Sequence, residues 1–341
     1  MFSFFRRHAK KNSDKGDICR PSSRMETAFF VLENAVNDFF GGWSRDDCHL
    51  LEAYRPKSYP KPSGQEIIDW LGIRTNASYH SWLNISDKGM VNAELPIPDD
   101  MVHAETIEYV ALVTSINNAC NRHQNSFTAV ELGASYAPWA IAAGVLADRK
   151  GFKEINLLAV EASSSMSPKI SEHAKLNGLL EGDNIVKLNV VQGAIACNDG
   201  VVFFPKVNVS GDNGGQISTV SKVKDYRGLD LDHEEVAAYK LDTLLASYQK
   251  VDFLHMDVQG AELELLKNTE FLQTLDQKVS LFFLATQSRL IEGVALEALG
   301  SLGWNLLRER PTIFRQNINT KDVNGWTLRD GGQIWINPKL G

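Results

Sequence analysis

Three acidic groups stand where a folded chain can bring them to one point: Glu131 beside Gly133, Glu161, and Asp257 ahead of Glu262. Each lies in, or directly after, a short apolar run. Residues 127–132 (Phe-Thr-Ala-Val-Glu-Leu) lead into Gly133-Ala-Ser-Tyr-Ala-Pro, residues 155–160 lead into Glu161, and residues 251–256 (Val-Asp-Phe-Leu-His-Met) lead into Asp257-Val-Gln-Gly-Ala-Glu. Apolar runs of this length, bounded by turn residues, read as buried parallel strands. In an open α/β sheet, ligands bind in the crevice outside the carboxyl ends of such strands. Carboxylates delivered there can accept from the hydroxyls of a ribose, favour a cation, or take a proton from an acceptor hydroxyl.

Glu161 lies 28 residues after Gly133 and is placed to hold both ribose hydroxyls. Gly133 allows close backbone approach to a ligand, because any Cβ would collide there. Ala134 and Ser135 leave further room, as do Ala162 after the second strand and Gly193-Ala194 after the third. The turn departs from the Gly-x-Gly-x-x-Gly pattern, with Ser135 and Ala137 where further glycines are expected. A dinucleotide needs a bare helix N-terminus for its pyrophosphate. The departure therefore leans toward a cofactor without phosphate, S-adenosylmethionine rather than a nicotinamide dinucleotide.

Three groups are candidates for catalysis, in the order Asp257, Glu262, His255. Asp257 ends a strand and Glu262 opens a helix. His255 lies two residues before Asp257, on the same strand face. After the fifth strand, Thr286, Gln287 and Ser288 face the same mouth and are candidates for acceptor binding. Helix capping is the competing role for Asp257, Glu262 and the 286–288 group.

These groups need a frame to hold them. From residue 127 the pattern alternates strand and helix, which predicts a mostly parallel sheet with helices on both faces. Strands are expected at 127–132, 155–160, 185–192, 251–256 and 279–285. Helices are expected from Pro138, over 168–179, 261–275 and 291–302. Residues 304–307 and 333–336 close the sheet as an antiparallel pair, and 201–205 add an antiparallel strand. Residues 206–215, polar with three glycines, suit a lid or a surface insertion. Ahead of the sheet a helix is expected over 100–121, with Tyr109, Leu112, Ile116 and Ala119 on one stripe. The domain reading is a flexible tail over 1–24, a mainly helical extension over 25–125, and the sheet domain over 126–341.

Composition limits the partners. The chain of 341 residues is 43% hydrophobic and 23% charged, with a formal net charge of −7. That balance argues against a polyanion such as nucleic acid as partner. The cysteines at 19, 48, 120 and 197 form no Cys-x-x-Cys pair, so no zinc framework is predicted, and free thiols suit a cytoplasmic protein. The histidines make no paired ligand motif, and no metal is expected. No run approaches the length of a membrane helix.

Residues 127–341 resemble the FkbM-type family of S-adenosylmethionine-dependent methyltransferases. Four segments carry the resemblance: 130–139, 239–245 (Tyr-Lys-Leu-Asp-Thr-Leu-Leu), 251–262 and 286–293 (Thr-Gln-Ser-Arg-Leu-Ile-Glu-Gly). The Leu-Asp-Thr-Leu-Leu segment, followed by Asp-x-x-x-x-Asp-x-x-Gly-Ala-Glu, is the most specific. The resemblance implies a Rossmann-like class I methyltransferase fold, α/β with a doubly wound seven-stranded sheet whose last strand is antiparallel. It implies methyl transfer from S-adenosylmethionine to a hydroxyl of a sugar, glycan or secondary metabolite. Gln259 and Gln287 depart from the family, which more often has an acid before the glycine and, in one branch, a histidine after the fifth strand. The altered glycine turn leaves a methyltransferase-like binding or scaffold protein as the alternative.

Overall fold

The computed structural model describes residues 41–80, 83, 89–97, 104–180, 185–206, 215–221, 231–318 and 323–340. The expected tail over 1–24 and most of the expected lid over 206–215 lie outside the described residues.

The first described elements belong to the extension. Helix α1 (Arg45–Glu52) is followed by a three-stranded sheet of β1 (Glu66–Ile68), β2 (Arg74–Asn76) and β3 (Met90–Val91), and then by helix α2 (Thr106–Asn121). The extension therefore holds a small sheet beside its helices. Tyr109, Leu112, Ile116 and Ala119, the stripe read from the sequence, are all 3% exposed or less. Each such apolar side chain contributes about 1.5–3 kcal/mol on burial. Trp70 is buried among them at 1% exposure, and Arg74 is paired with Glu66 at 2.8 Å, so neither reaches the site described below.

The main sheet is built from β4 (Ser126–Leu132), β5 (Glu154–Glu161) and β6 (Val186–Gln192), linked by helices α3 (Pro138–Lys150) and α4 (Ser167–Leu176). Two short strands, β7 (Ala194–Ile195) and β8 (Gly200–Pro205), then pair with β9 (His233–Tyr239) in a separate small sheet. After the single turn α5 (Leu241–Leu244), the chain returns to the main sheet as β10 (Val251–Met256). Helices α6 (Glu262–Lys267) and α7 (Thr269–Lys278) lead to β11 (Val279–Thr286). Helix α8 (Arg289–Ser301) leads to β12 (Asn305–Arg310). A short hairpin, β13 (Ile313–Phe314) with β14 (Thr327–Arg329), precedes the last strand, β15 (Gly331–Ile336).

The seven strands lie in the order β12-β15-β11-β10-β4-β5-β6, and β15 alone runs against the others. This is the class I methyltransferase arrangement, as expected. The chain moves outward from β4 to β6, then returns to β10 beside β4. The switch point therefore falls between β4 and β10, where the crevice of such a sheet opens. Strands β10 and β11 are buried along their whole length because helices cover both faces.

Two local expectations change. The single helix over 261–275 is broken at Asn268, whose backbone is extended and whose side chain accepts from Phe271 N–H to cap α7. The strand over 201–205 does pair antiparallel, but with β9, a strand the sequence pattern did not mark.

Candidate active site

A cavity of about 250 Å³ opens at the switch point, over the carboxyl ends of β4, β5 and β10. Every residue expected to bind the cofactor lines it: Glu131, Gly133, Ala134, Ser135, Glu161, Ala162, Gly193, Ala194 and Asp257. His255 lines it too. Glu262, Thr286, Gln287 and Ser288 do not.

The turn after β4 keeps a glycine-like path without the glycines. Gly133, Ser135 and Ala137 all have left-handed backbones, with φ of 75°, 51° and 58°. For an alanine or serine this conformation costs about 1–2 kcal/mol. Neighbouring strands hold the turn there. Gly133 and Ala134 N–H both donate to the Val160 carbonyl, each at 3.0 Å, and Ser135 N–H donates to Glu161 Oε2 at 2.5 Å. The role of Gly133 differs from the one read in the sequence. A Cβ there would strike the carbonyl oxygen of Asp257, so the glycine lets two turns of the protein meet. Gly193 is likewise closed in by the Tyr239 ring.

Glu131 is 1% exposed and folds onto the N-terminus of α3, where its Oε2 accepts from Ala140 N–H at 2.7 Å. Burial pushes its carboxyl up to about 8, against the pull of the Ala140 and Trp139 amides. Glu161 accepts from Ser135 N–H through one oxygen and from Ser163 N–H, at 2.6 Å, through the other. The Ala162 amide also favours its charged form, against the burial that pushes the carboxyl up.

Asp257 Oδ1 accepts from the side-chain amides of Gln259, at 2.7 Å, and Gln287, at 2.9 Å. The Gln259 backbone amide also favours the charged form of this carboxyl. Burial, then the Asp330 charge, pushes this carboxyl up to about 7. Gln259 holds its place with a left-handed backbone, φ 56°. Such strain in a turn that lines a cavity is characteristic of functional sites.

The remaining candidates are placed as follows. Glu262 is fully buried and accepts from Val258 and Gly260 N–H at 2.7 and 2.6 Å, so it braces the turn and is removed from the catalytic set. Thr286 is buried against Glu292 and Thr312. Ser288 caps α8 through Ile291 N–H. The mouth-facing role expected of these two is therefore corrected to packing and capping, and Gln287 reaches the site only through Asp257. His255 is stacked between the Trp139 and Phe283 rings, and burial pushes it down to about 3. That makes it a weak base.

Several lining residues escaped the sequence reading. Trp139 lines the cavity while 4% exposed. Glu108, from α2, lines it as well and meets His255 Nε2 at 3.1 Å. Its signal was present. A carboxylate in the first turn, four residues before Leu112, sits at the edge of a buried stripe.

The geometry fits the relatives. Residues 131–281 match the model of the methyltransferase FkbM domain. A protein of Jannaschia sp. (strain CCS1) that carries a methyltransferase's name is 29% identical over 255 residues, which cover 72% of this chain and 85% of that protein. Solved structures similar to this chain include precorrin-6y C5,15-methyltransferase from Geobacter metallireducens GS-15, at 13% identity and TM-score 0.36, covering 70% of this chain and 90% of that one. Another is the human methyltransferase 10 domain containing protein, at 11% identity and TM-score 0.34, covering 69% and 85%. Among the described residues, no helix is long and apolar enough to cross a membrane. Over residues 131–281 the chain is thus similar to the methyltransferase FkbM domain, and its activity is that of a methyltransferase.

Proposed function

We propose that the cavity holds S-adenosylmethionine and that the chain methylates a hydroxyl oxygen of a sugar, glycan or secondary metabolite. The observation that carries the cofactor reading is Glu131 on the N-terminus of α3. The amides that would cradle a pyrophosphate are occupied by the protein's own carboxyl group. The site therefore suits a nucleoside cofactor with no phosphate. Glu161, which lines the cavity at the end of β5, would take the ribose hydroxyls. The Gly133–Ala137 turn would pass the amino-acid moiety, and Gly193 and Ala194 would flank the base.

When bound, S-adenosylmethionine supplies an electrophilic methyl carbon on a cationic sulfur. The protein positions the acceptor and takes its proton. Asp257 is the group for that task, since it lines the cavity with Oδ1 held in place by two amides. A carboxyl pushed up to about 7 is matched to proton transfer near neutral pH. In this reading 126–341 form the catalytic domain, and Ala104 and Glu108 from the segment before it border the cavity. Cys120 and Cys197, which form no disulfide, suit a cytoplasmic setting.

Calorimetric titration of the full chain with S-adenosylhomocysteine tests the cofactor reading. Saturable binding supports it. No heat at about millimolar ligand, where even weak sites register, would leave a scaffold protein as the better account.

A further inference from the structure

Four carboxyl groups wall the cavity, Glu108, Glu131, Glu161 and Asp257, and among the described residues no lysine or arginine lines it. Three of the four are answered by amides: Glu131 by Ala140, Glu161 by Ser135 and Ser163, Asp257 by Gln259 and Gln287. Glu108 differs. One oxygen accepts from Glu105 N–H at 3.0 Å, and the other faces His255 Nε2 at 3.1 Å.

That imidazole offers Glu108 no positive charge. It is 3% exposed, flanked by two aromatic rings, and kept neutral by burial, while its Nδ1 has no partner. The other charged groups nearby are mostly acidic: Glu105 on the same helix turn, Asp257 at the end of β10, and Asp330 between β14 and β15, beside Asp257. Arg310 pairs with Glu105 at 2.5 Å through Nη1, and its charge also bears on Asp330. Burial, then the Glu105 charge, pushes the Glu108 carboxyl well above the usual carboxylate range. Glu108 is thus a largely buried acid in a cavity of acids, 13% exposed, and among the described residues no lysine or arginine lines that cavity.

We propose that Glu108 makes this cavity prefer the sulfonium donor to its neutral thioether product, giving up a proton to solvent as the donor binds. The proposal rests on the reading that the cavity holds S-adenosylmethionine. The charges balance. A neutral carboxyl group loses one proton to the buffer, and the resulting carboxylate faces one sulfonium charge. Once the methyl group has left, that charge is gone, and Glu108 takes a proton back from solvent. An opposite charge nearby favours the ionised acid, so the donor-bound state has the lower Glu108 pKa. Donor affinity therefore climbs with pH and levels off once free Glu108 is itself ionised. Affinity for the thioether stays flat with respect to this group. Glu108 is a specificity-determining residue supplied by the extension, outside the matched domain.

The test is calorimetry on the full chain with S-adenosylmethionine and S-adenosylhomocysteine, from about pH 6 to about pH 8.5, in buffers of different ionisation enthalpy. The expected result is proton release with the donor and none with the product. The donor-over-product preference should rise by on the order of 10-fold across that range, one pKa unit of coupling being a factor of ten. Glu108→Gln keeps a capping residue for α2. It should keep product affinity while losing most of the pH-dependent preference, and Glu108→Asp should restore part of it. The inference is overturned if Glu108→Gln releases the same number of protons, leaves the preference unchanged, or abolishes product binding. If both ligands bind the wild type with one pH profile, the inference fails alone. If neither binds, the cofactor reading falls and takes the inference with it.

Discussion

Strand β10 carries two aspartates, one at each end, and they live in opposite surroundings. Asp252, at the amino end, is 4% exposed and lies 3.4 Å from Lys250 and 3.6 Å from Arg122. It also accepts from Thr128 N–H at 3.1 Å and from the Gln124 amide at 3.0 Å. Asp257, at the carboxyl end, has amides on one oxygen and acids around it, and among the described residues no lysine or arginine lines its cavity. The first arrangement ties the amino ends of β10 and β4 together. The second leaves a carboxyl poised between its two protonation states. The difference teaches that a buried acid's role is read from what has been withheld from it as much as from what touches it.

The largest effect should come from Asp257→Asn. If this carboxylate takes the acceptor's proton, turnover falls by about 10²–10⁴-fold, the usual worth of a general base, while the fold survives. Steady-state methyl transfer and urea unfolding check the two halves. A variant that unfolds instead would make the two aspartates equivalent and break the comparison. The wild-type rate should rise with pH through about 7 as this carboxyl ionises, and the variant should lose that limb.

Stability should run the other way with pH. A carboxyl raised to about 7 in the fold binds more protons there than in the unfolded chain, whose Asp titrates near ~4. The stability it contributes is present below the unfolded value and is lost as pH rises through the folded one. Thermal unfolding should show a midpoint that falls from pH 5 to about pH 8, less steeply in Asp257→Asn. A midpoint that rises over this range contradicts the assignment.

Asp252→Ala should do the reverse of Asp257→Asn. It strands two cations and an amide at the far end of the strand, for a loss of roughly 2–4 kcal/mol in urea unfolding. Affinity for S-adenosylhomocysteine should not change. Smaller again is Glu161→Ala, expected to weaken that affinity by about 1–3 kcal/mol through lost charged hydrogen bonds. Unchanged binding would mean that the ribose sits elsewhere. The smallest is Ala137→Gly. Relief of the left-handed strain, less the entropy of a freer unfolded chain, leaves a gain of about 0.5–1 kcal/mol. A loss instead would show that the turn is not strained.

Strand ends and the polar groups at them were legible because a strand announces itself by its own residues. Glu131, Glu161 and Asp257 follow apolar runs whose ends are fixed locally, and all three reach the cavity. What was not legible depended on partners far away in sequence. Glu262 looks like Asp257 in the chain, yet the backbone of its own turn claims both its oxygens. Gln287 follows a strand as the others do, but its amide is spent on Asp257. Strand β9, His-Glu-Glu-Val-Ala-Ala-Tyr, shows weak alternation and exists because β8 lies against it. The break at Asn268 is a capping event inside what reads as one continuous helical pattern.

The contact between the Gly133 turn and the Asp257 carbonyl bears on how such a sequence can drift. At 135 and 137 a side chain bends only its own backbone, and neighbouring hydrogen bonds can absorb the strain, so serine and alanine are admissible. At 133 a methyl group would occupy space that belongs to a second loop, and no local adjustment can yield it. Mutational tolerance within one five-residue loop is therefore uneven. Selection can relax two of the three left-handed positions without leaving the fold, and it has to guard the third in every descendant that keeps both loops.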